Sequence, residues 1–261
     1  RFERALRASD RVPRAAGLMK LMRRVRRIMW PAMIGVSVVA GVVFAFTYPV
    51  LAAVACPPCF GLERAGIRLI VDKDMPEAMR RQLAGSVQEA GGVVRAFYGV
   101  STREAYVVAC HDKPCDMRLG GGGARAVTFS TPWLAAIRVS PHGIDTTTIA
   151  HELAHVELHK RIGVMNLLKG VVPAWFDEGL AVVISNDRSF IGRTKDGATC
   201  RDDAERSLPA TAAEWAKAAG RRPMIYADAA CRVMDWMARN GGHAGVLAAI
   251  GQAGHGGALK E

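Results

Sequence analysis

The chain has 261 residues, half of them apolar, enough for one globular domain with a sizeable core. Its net charge of +11 is concentrated at one end: residues 1–29 carry ten Arg or Lys against Glu3 and Asp10, a net +8, which leaves +3 for the other 232 residues. A nucleic-acid-binding fold carries its basic patch on the fold itself, so no nucleic-acid partner is expected.

After this basic segment, no charged residue occurs across positions 28–62. Within that run, positions 34–55 are mostly Val, Ala, Ile, Phe and Leu. A bilayer core takes about 20 apolar residues in a helix. Residues 30–55 are therefore expected to be one transmembrane anchor in the lipid bilayer. The Arg-rich flank places residues 1–29 in the cytoplasm and everything after the anchor outside it. The bias of Arg over Lys, with abundant Ala and Gly, fits a GC-rich bacterial genome; in a bacterium such an anchored protein is expected in the inner membrane, facing the periplasm. Met19 and Met22, just ahead of the Arg cluster, are natural starts for such an anchor. A cleaved leader is the other reading: Ala53-Val54-Ala55 has the small-residue pattern of a cleavage site, and with Cys56 it loosely resembles a lipoprotein box. The apolar region is longer than the roughly 7–15 residues of a signal peptide, which favours an uncleaved anchor.

Six cysteines outside the cytoplasm point to disulfides. Proximity pairs Cys110 with Cys115 and Cys200 with Cys231. Cys56-Pro57-Pro58-Cys59 is then a local staple or a redox pair. No thioredoxin-like βαβ pattern follows it, and there is no second CxxC to make a zinc ribbon.

Residues 56–66, with two prolines and two glycines, read as a linker, and residues 67–261 as a single domain. Positions 67–71 alternate as a strand. Pro76 opens a helix extending to Phe97. Positions 105–109 make a second strand, and 110–124 a loop. The run Gly120-Gly121-Gly122-Gly123 in that loop lacks the ending of a phosphate loop and is expected to be a flexible connection. Positions 134–140 make a third strand. Asp145 or Thr146 caps a helix to Arg161 that stops near Gly163. Further helices are expected at 173–185, 211–219, 226–240 and 243–251. Strands and one helix followed by helices give an α+β domain with a small mixed sheet and a helical C-terminal half.

The chemistry is carried by His151-Glu152-Leu153-Ala154-His155. On a helix, residues four apart share a face, so both imidazoles can reach one Zn²⁺. Glu152, between them, is placed to act as general base on a water without ligating the metal. A catalytic zinc needs a third protein ligand and an open position. His159 continues the series, but by then the helix face has turned by about 80°, and one helix alone would hold the ion. Glu178, in Pro173-Ala174-Trp175-Phe176-Asp177-Glu178-Gly179-Leu180-Ala181, offers a carboxylate from a second helix and is the better candidate. Asp177 beside it is placed to orient an imidazole. Glu157 and His159 read as solvent-facing or outer groups, and His111 and His142 as ordinary loop residues.

The pair HELAH and WFDEGLA resembles the gluzincin metallopeptidases, most closely the peptidase MA-like group. In that group an HExxH helix is followed by a WxxEGxA helix whose Glu is the third ligand. The resemblance implies a zincin-like domain holding one zinc on His151, His155 and Glu178, with Glu152 as base. It also implies a Tyr or His that stabilises the oxyanion. Tyr226 is the candidate, with His243 and His255 as later options. An edge strand beside the active helix pairs with extended substrate in zincins, and positions 134–140 are expected to supply it. The spacing to Glu178 is longer than in thermolysin, and the Gly-x-Met-x-Asn signature of the aminopeptidases is absent, which puts exopeptidase activity in doubt. The expectation is a membrane-anchored zinc-dependent peptidase acting on a peptide or protein. The alternative is a catalytically silent zinc-containing binding or scaffold protein at the extracytoplasmic face.

Overall fold

A computed structural model describes residues 41–99, 105–194, 197–200 and 207–259, together with Met29, Met33, 35–37 and Val39. The basic segment before Met29 lies outside the described residues. The chain divides into two units, Arg1–Thr47 and Tyr48–Glu261.

In the first unit, α1 (Gly35–Thr47) exposes Val36, Val39, Val42, Val43 and Phe46. Among the described residues no single helix is long and apolar enough to cross a membrane. The one helix expected over positions 34–55 is instead interrupted after Thr47, and a new helix, α2 (Pro49–Ala55), begins the second unit. The cause is local. Proline's ring disfavours helical backbone at the residue before it, and Tyr48 sits at φ −131°, ψ 63°. α2 then buries Val50, Leu51, Ala53 and Val54 in the core of the folded domain.

The domain is mixed α/β, built on a five-stranded sheet of order β1-β2-β3-β5-β4. β2 (Leu69–Asp72), β3 (Tyr106–Ala109) and β5 (Ala135–Val139) are parallel, in register at Leu69–Val107 and Val107–Ile137. Their apolar runs follow from burial on both faces. Val71, Val107, Ile137 and Val139 meet the helical half, including α3 (Glu77–Tyr98). Ile70, Val108 and Ala136 meet α2 and Cys115 of α4 (Lys113–Arg118). Arg138, also buried, pairs with Asp116 of α4.

Several expectations for the connections change. The linker over 56–66 holds a turn of 3₁₀ helix and then β1 (Leu62–Arg64), antiparallel to β2. The loop over 110–124 contains α4, capped by Asp112, whose carboxylate accepts from the Cys115 N–H at 2.8 Å. The glycine run is packed at Gly121, where a Cβ would lie 2.0 Å from Asp116 Oδ2. The strand expected over 134–140 is β5, buried throughout rather than at the edge. The edge belongs to β4 (Ala126–Ser130), antiparallel to β5 and joined to it by a tight turn closed by Thr131 N–H on Leu134 C=O at 2.8 Å.

The remaining elements are α5 (Thr146–Ile162), α6 (Val164–Leu168), α7 (Ala174–Ser185), the hairpin β6 (Gly192–Thr194) and β7 (Gly197–Thr199), α8 (Ala212–Ala219), α9 (Ile225–Arg239) and α10 (Gly242–Gly254). Cys56–Cys59, Cys110–Cys115 and Cys200–Cys231 lie at disulfide distance, with Cα separations of 5.4, 5.5 and 5.2 Å.

Candidate metal centre

Two helices carry the site. Asp145 starts α5 by accepting from the Thr148 N–H at 2.9 Å, a cap that satisfies one of the helix's unpaired donors. That start sets the turn on which His151 and His155 share a face. α7 follows after α6, and its Gly179 lies against α9: a Cβ there would stand 2.3 Å from the Ala229 carbonyl oxygen. The glycine after Glu178 thus lets α9 seat closely on α7.

Three atoms converge between α5 and α7. His151 Nε2 lies 3.1 Å from His155 Nε2, and Glu178 Oε2 lies 3.4 and 3.5 Å from them. A tetrahedral ion with ligand bonds of about 2.0–2.1 Å has its ligand atoms about 3.3–3.4 Å apart. The triangle therefore has the dimensions of one face of such a tetrahedron, and these residues can hold a metal ion. Its electrostatics favour a cation. Burial works to raise Glu178, but His155 and His151 bring it down to about 2. Burial likewise disfavours charge on His155, yet the Asp177 and Glu178 carboxylates hold its pKa well above the usual histidine value.

The other nitrogen of His155 is hydrogen-bonded. Its Nδ1–H donates to Asp177 Oδ1 at 2.6 Å. In the neutral ring this makes Nε2 the lone-pair side, the arrangement that orients ligating histidines in metal sites. Asp177 Oδ2 accepts from His159 Nε2–H at 2.7 Å, and His159 Nδ1 lies 3.1 Å from Ser130 Oγ at the end of β4. Burial opposes the charge on Asp177, but the two imidazoles outweigh it and hold the carboxyl well below the usual range. His159, weighed above as a third ligand, is engaged with Asp177 and stands outside the triangle.

Glu152 is buried, and Thr128 Oγ1 donates to its Oε2 at 2.6 Å from the edge strand. Tyr226, at the start of α9, brings its ring to 6.2 Å from that of His151. Phe190 stacks on it and Trp215 meets it edge-on, both at 5.3 Å. Burial, then the charge of Glu178, push its phenol up to about 12, with a further contribution from Glu152. The phenol thus responds to both carboxylates of the site.

His243 Nε2 is instead 2.6 Å from the Phe97 carbonyl oxygen, and His255 is exposed past α10. His142 is exposed, and its carbonyl accepts from Arg125. His111 forms a second grouping with Asp72 and Asp112. There the carboxylates address opposite ring nitrogens, Nδ1 at 3.0 Å and Nε2 at 3.9 Å, and Arg118 stands 4.0 Å from Asp72. One ligand atom from each lies within 4.8 Å of the others, a looser set than the triangle. The residues missed from the sequence are Thr128 and Ser130, whose two-residue spacing on one strand face was the available signal.

Comparison with protein-family models, with curated proteins and with solved structures finds no significant match.

Proposed function

We propose that this chain is a membrane-anchored zinc peptidase of gluzincin type, with a zincin-like domain facing the outside of the cytoplasm. The observation that supports it most is the triangle of His151 Nε2, His155 Nε2 and Glu178 Oε2, with sides of 3.1, 3.4 and 3.5 Å. A donor set of two histidines and one glutamate is that of catalytic zinc in peptidases.

When bound, zinc supplies Lewis acidity that polarises the scissile carbonyl and acidifies water. The chain's own residues do the rest. Glu152, held by Thr128, takes the proton from the attacking water and delivers it to the leaving amine. Tyr226, kept protonated, donates to the developing oxyanion. β4 pairs only with β5 among the described residues, so its outer edge offers backbone groups to an extended peptide. The buried, hydrogen-bonded Glu152 favours hydrolysis over a silent scaffold, because a scaffold needs no base beside its metal.

The anchor is placed on positions 28–47, twenty uncharged residues ahead of the folded domain, which meets the requirement of about 20 for a span. The exposed valines of α1 and the basic flank support this assignment. Three cysteine pairs at disulfide distance fit an oxidising compartment.

The test is elemental analysis of wild type beside Glu178→Ala. The expected result is one zinc per wild-type chain, lost in the variant. Zinc retained at full stoichiometry in Glu178→Ala would move the third ligand elsewhere. No zinc in the wild type after reconstitution would reject the site.

A further inference from the structure

Ser130, His159, Asp177 and His155 form one continuous hydrogen-bonded chain from the edge strand to the metal triangle, with contacts of 3.1, 2.7 and 2.6 Å. A carboxylate only accepts, so both imidazole nitrogens facing Asp177 must carry protons. With Nδ1 protonated, the neutral form of His155, the form that a metal ligand takes, presents a bare Nε2 to the triangle. His159, with Nε2 protonated, is left with Nδ1 as the acceptor for the Ser130 hydroxyl. Every group in the chain has one consistent role, and it ends at the sheet edge.

The spacing separates this chain from a second metal site. His155, His159 and Asp177 also group closely enough to hold an ion. Their contacts of 2.6 and 2.7 Å are those of charge-assisted hydrogen bonds. Ligands of a shared tetrahedral ion stand about 3.3 Å apart, near the 3.1–3.5 Å of the triangle. The spacing on this side of His155 fits protons rather than a cation.

We infer that His159 is a positioning residue of the metal centre: it fixes the Asp177 carboxylate, which fixes the ring of His155, while Ser130 fixes His159 from β4. The inference rests on the metal reading above. It also gives the edge strand a second role. Thr128 and Ser130, two residues apart on β4, contact Glu152 and His159 respectively, so a segment lying along β4 abuts both the base and the positioning residue.

The experiment measures zinc affinity by chelator competition on the full chain in detergent. It compares wild type, His159→Leu, His159→Gln and Ser130→Ala, with melting temperature and the visible spectrum of the cobalt-substituted protein alongside. Removing an outer partner of a ligating histidine typically weakens metal binding about 10–100-fold. That loss is expected in His159→Leu, with one metal per chain at saturation and an unchanged cobalt spectrum. Gln can still donate an N–H to Asp177, so His159→Gln should stay near wild type, and Ser130→Ala should fall between. Wild-type affinity in His159→Leu overturns the inference, whatever happens to the melting temperature. Should that variant not fold, wild-type affinity in Ser130→Ala overturns it instead. An altered cobalt spectrum in both His159 variants would make His159 a ligand and also overturn it. No metal in the wild type would reject the metal reading itself, and this inference with it.

Discussion

The two sides of the His155 ring make an instructive contrast. On the Nδ1 side a carboxylate stands at 2.6 Å, a distance that a shared proton fills. On the Nε2 side a histidine and a carboxylate stand at 3.1 and 3.5 Å, distances that one cation bound to all three would fill. The same residue types, imidazole and carboxylate, form a hydrogen-bonded support on one side and a triangle able to hold a metal ion on the other. Composition does not distinguish them, and spacing does. The grouping of Asp72, His111 and Asp112 is a looser case, in which the carboxylates face opposite nitrogens of one ring at 3.0 and 3.9 Å.

The hardest test of the contrast is to remove its pivot. His155→Ala should lose the metal outright, because two remaining donors on separate helices no longer close a triangle, and metal content by elemental analysis reads this directly. Glu152→Gln leaves both sides of His155 intact. It should retain stoichiometric metal while hydrolysis of a peptide library falls by about 10²–10⁴-fold, the usual contribution of a general base. Unimpaired turnover in that variant would remove Glu152 from its role.

A smaller effect comes from the edge strand. Thr128→Val deletes a hydrogen bond to a charged group, worth about 1.5–3 kcal/mol. That corresponds to a fall in kcat of about ten- to a hundredfold, with KM and metal content little changed. Thr128→Ser should restore most of it. A fall in KM-dependent binding alone, with kcat preserved, would mean that Thr128 serves substrate docking rather than the base.

Much of this arrangement was legible from the residues, and what was missed has physical causes. His151 and His155 followed from helical spacing after a capping aspartate, and Glu178 from the need for a carboxylate on a second element. For His159 the residues left two readings open, a solvent-facing or an outer group, because its partner lies eighteen residues on, across an inter-helix contact that no local pattern encodes. The edge strand was misplaced for a related reason. Ala126–Ser130 is short and only half-buried, and it is defined by pairing with β5 rather than by its own composition. The apolar run was read as one helix through position 55 because hydropathy does not separate a lipid-facing segment from a protein interior. Val50 and Ala53 are apolar because they pack against the sheet, and Pro49 was the available mark of the boundary.

The smallest expected effect asks which side of His155 receives the ion. Tyr226 approaches the Nε2 side, where its ring neighbours His151 and its phenol feels Glu178. In the metal-free protein the phenol titrates near 12, raised by burial and by the carboxylate charge. Its folded pKa exceeds the unfolded value of 10.0, so its contribution to stability is complete below pH 10 and is lost as pH rises through 12. A bound divalent cation offsets the charge of Glu178, and local cations reverse such shifts. Loading with zinc should therefore lower the phenol pKa and narrow the window in which stability is lost. The measurement is the phenolate absorbance of wild type minus Tyr226→Phe, with and without metal. An ion held instead by His155 Nδ1, His159 and Asp177 would leave Glu178 uncompensated and the Tyr226 titration nearly unmoved, so the size of this shift reports which nitrogen of His155 faces the ion.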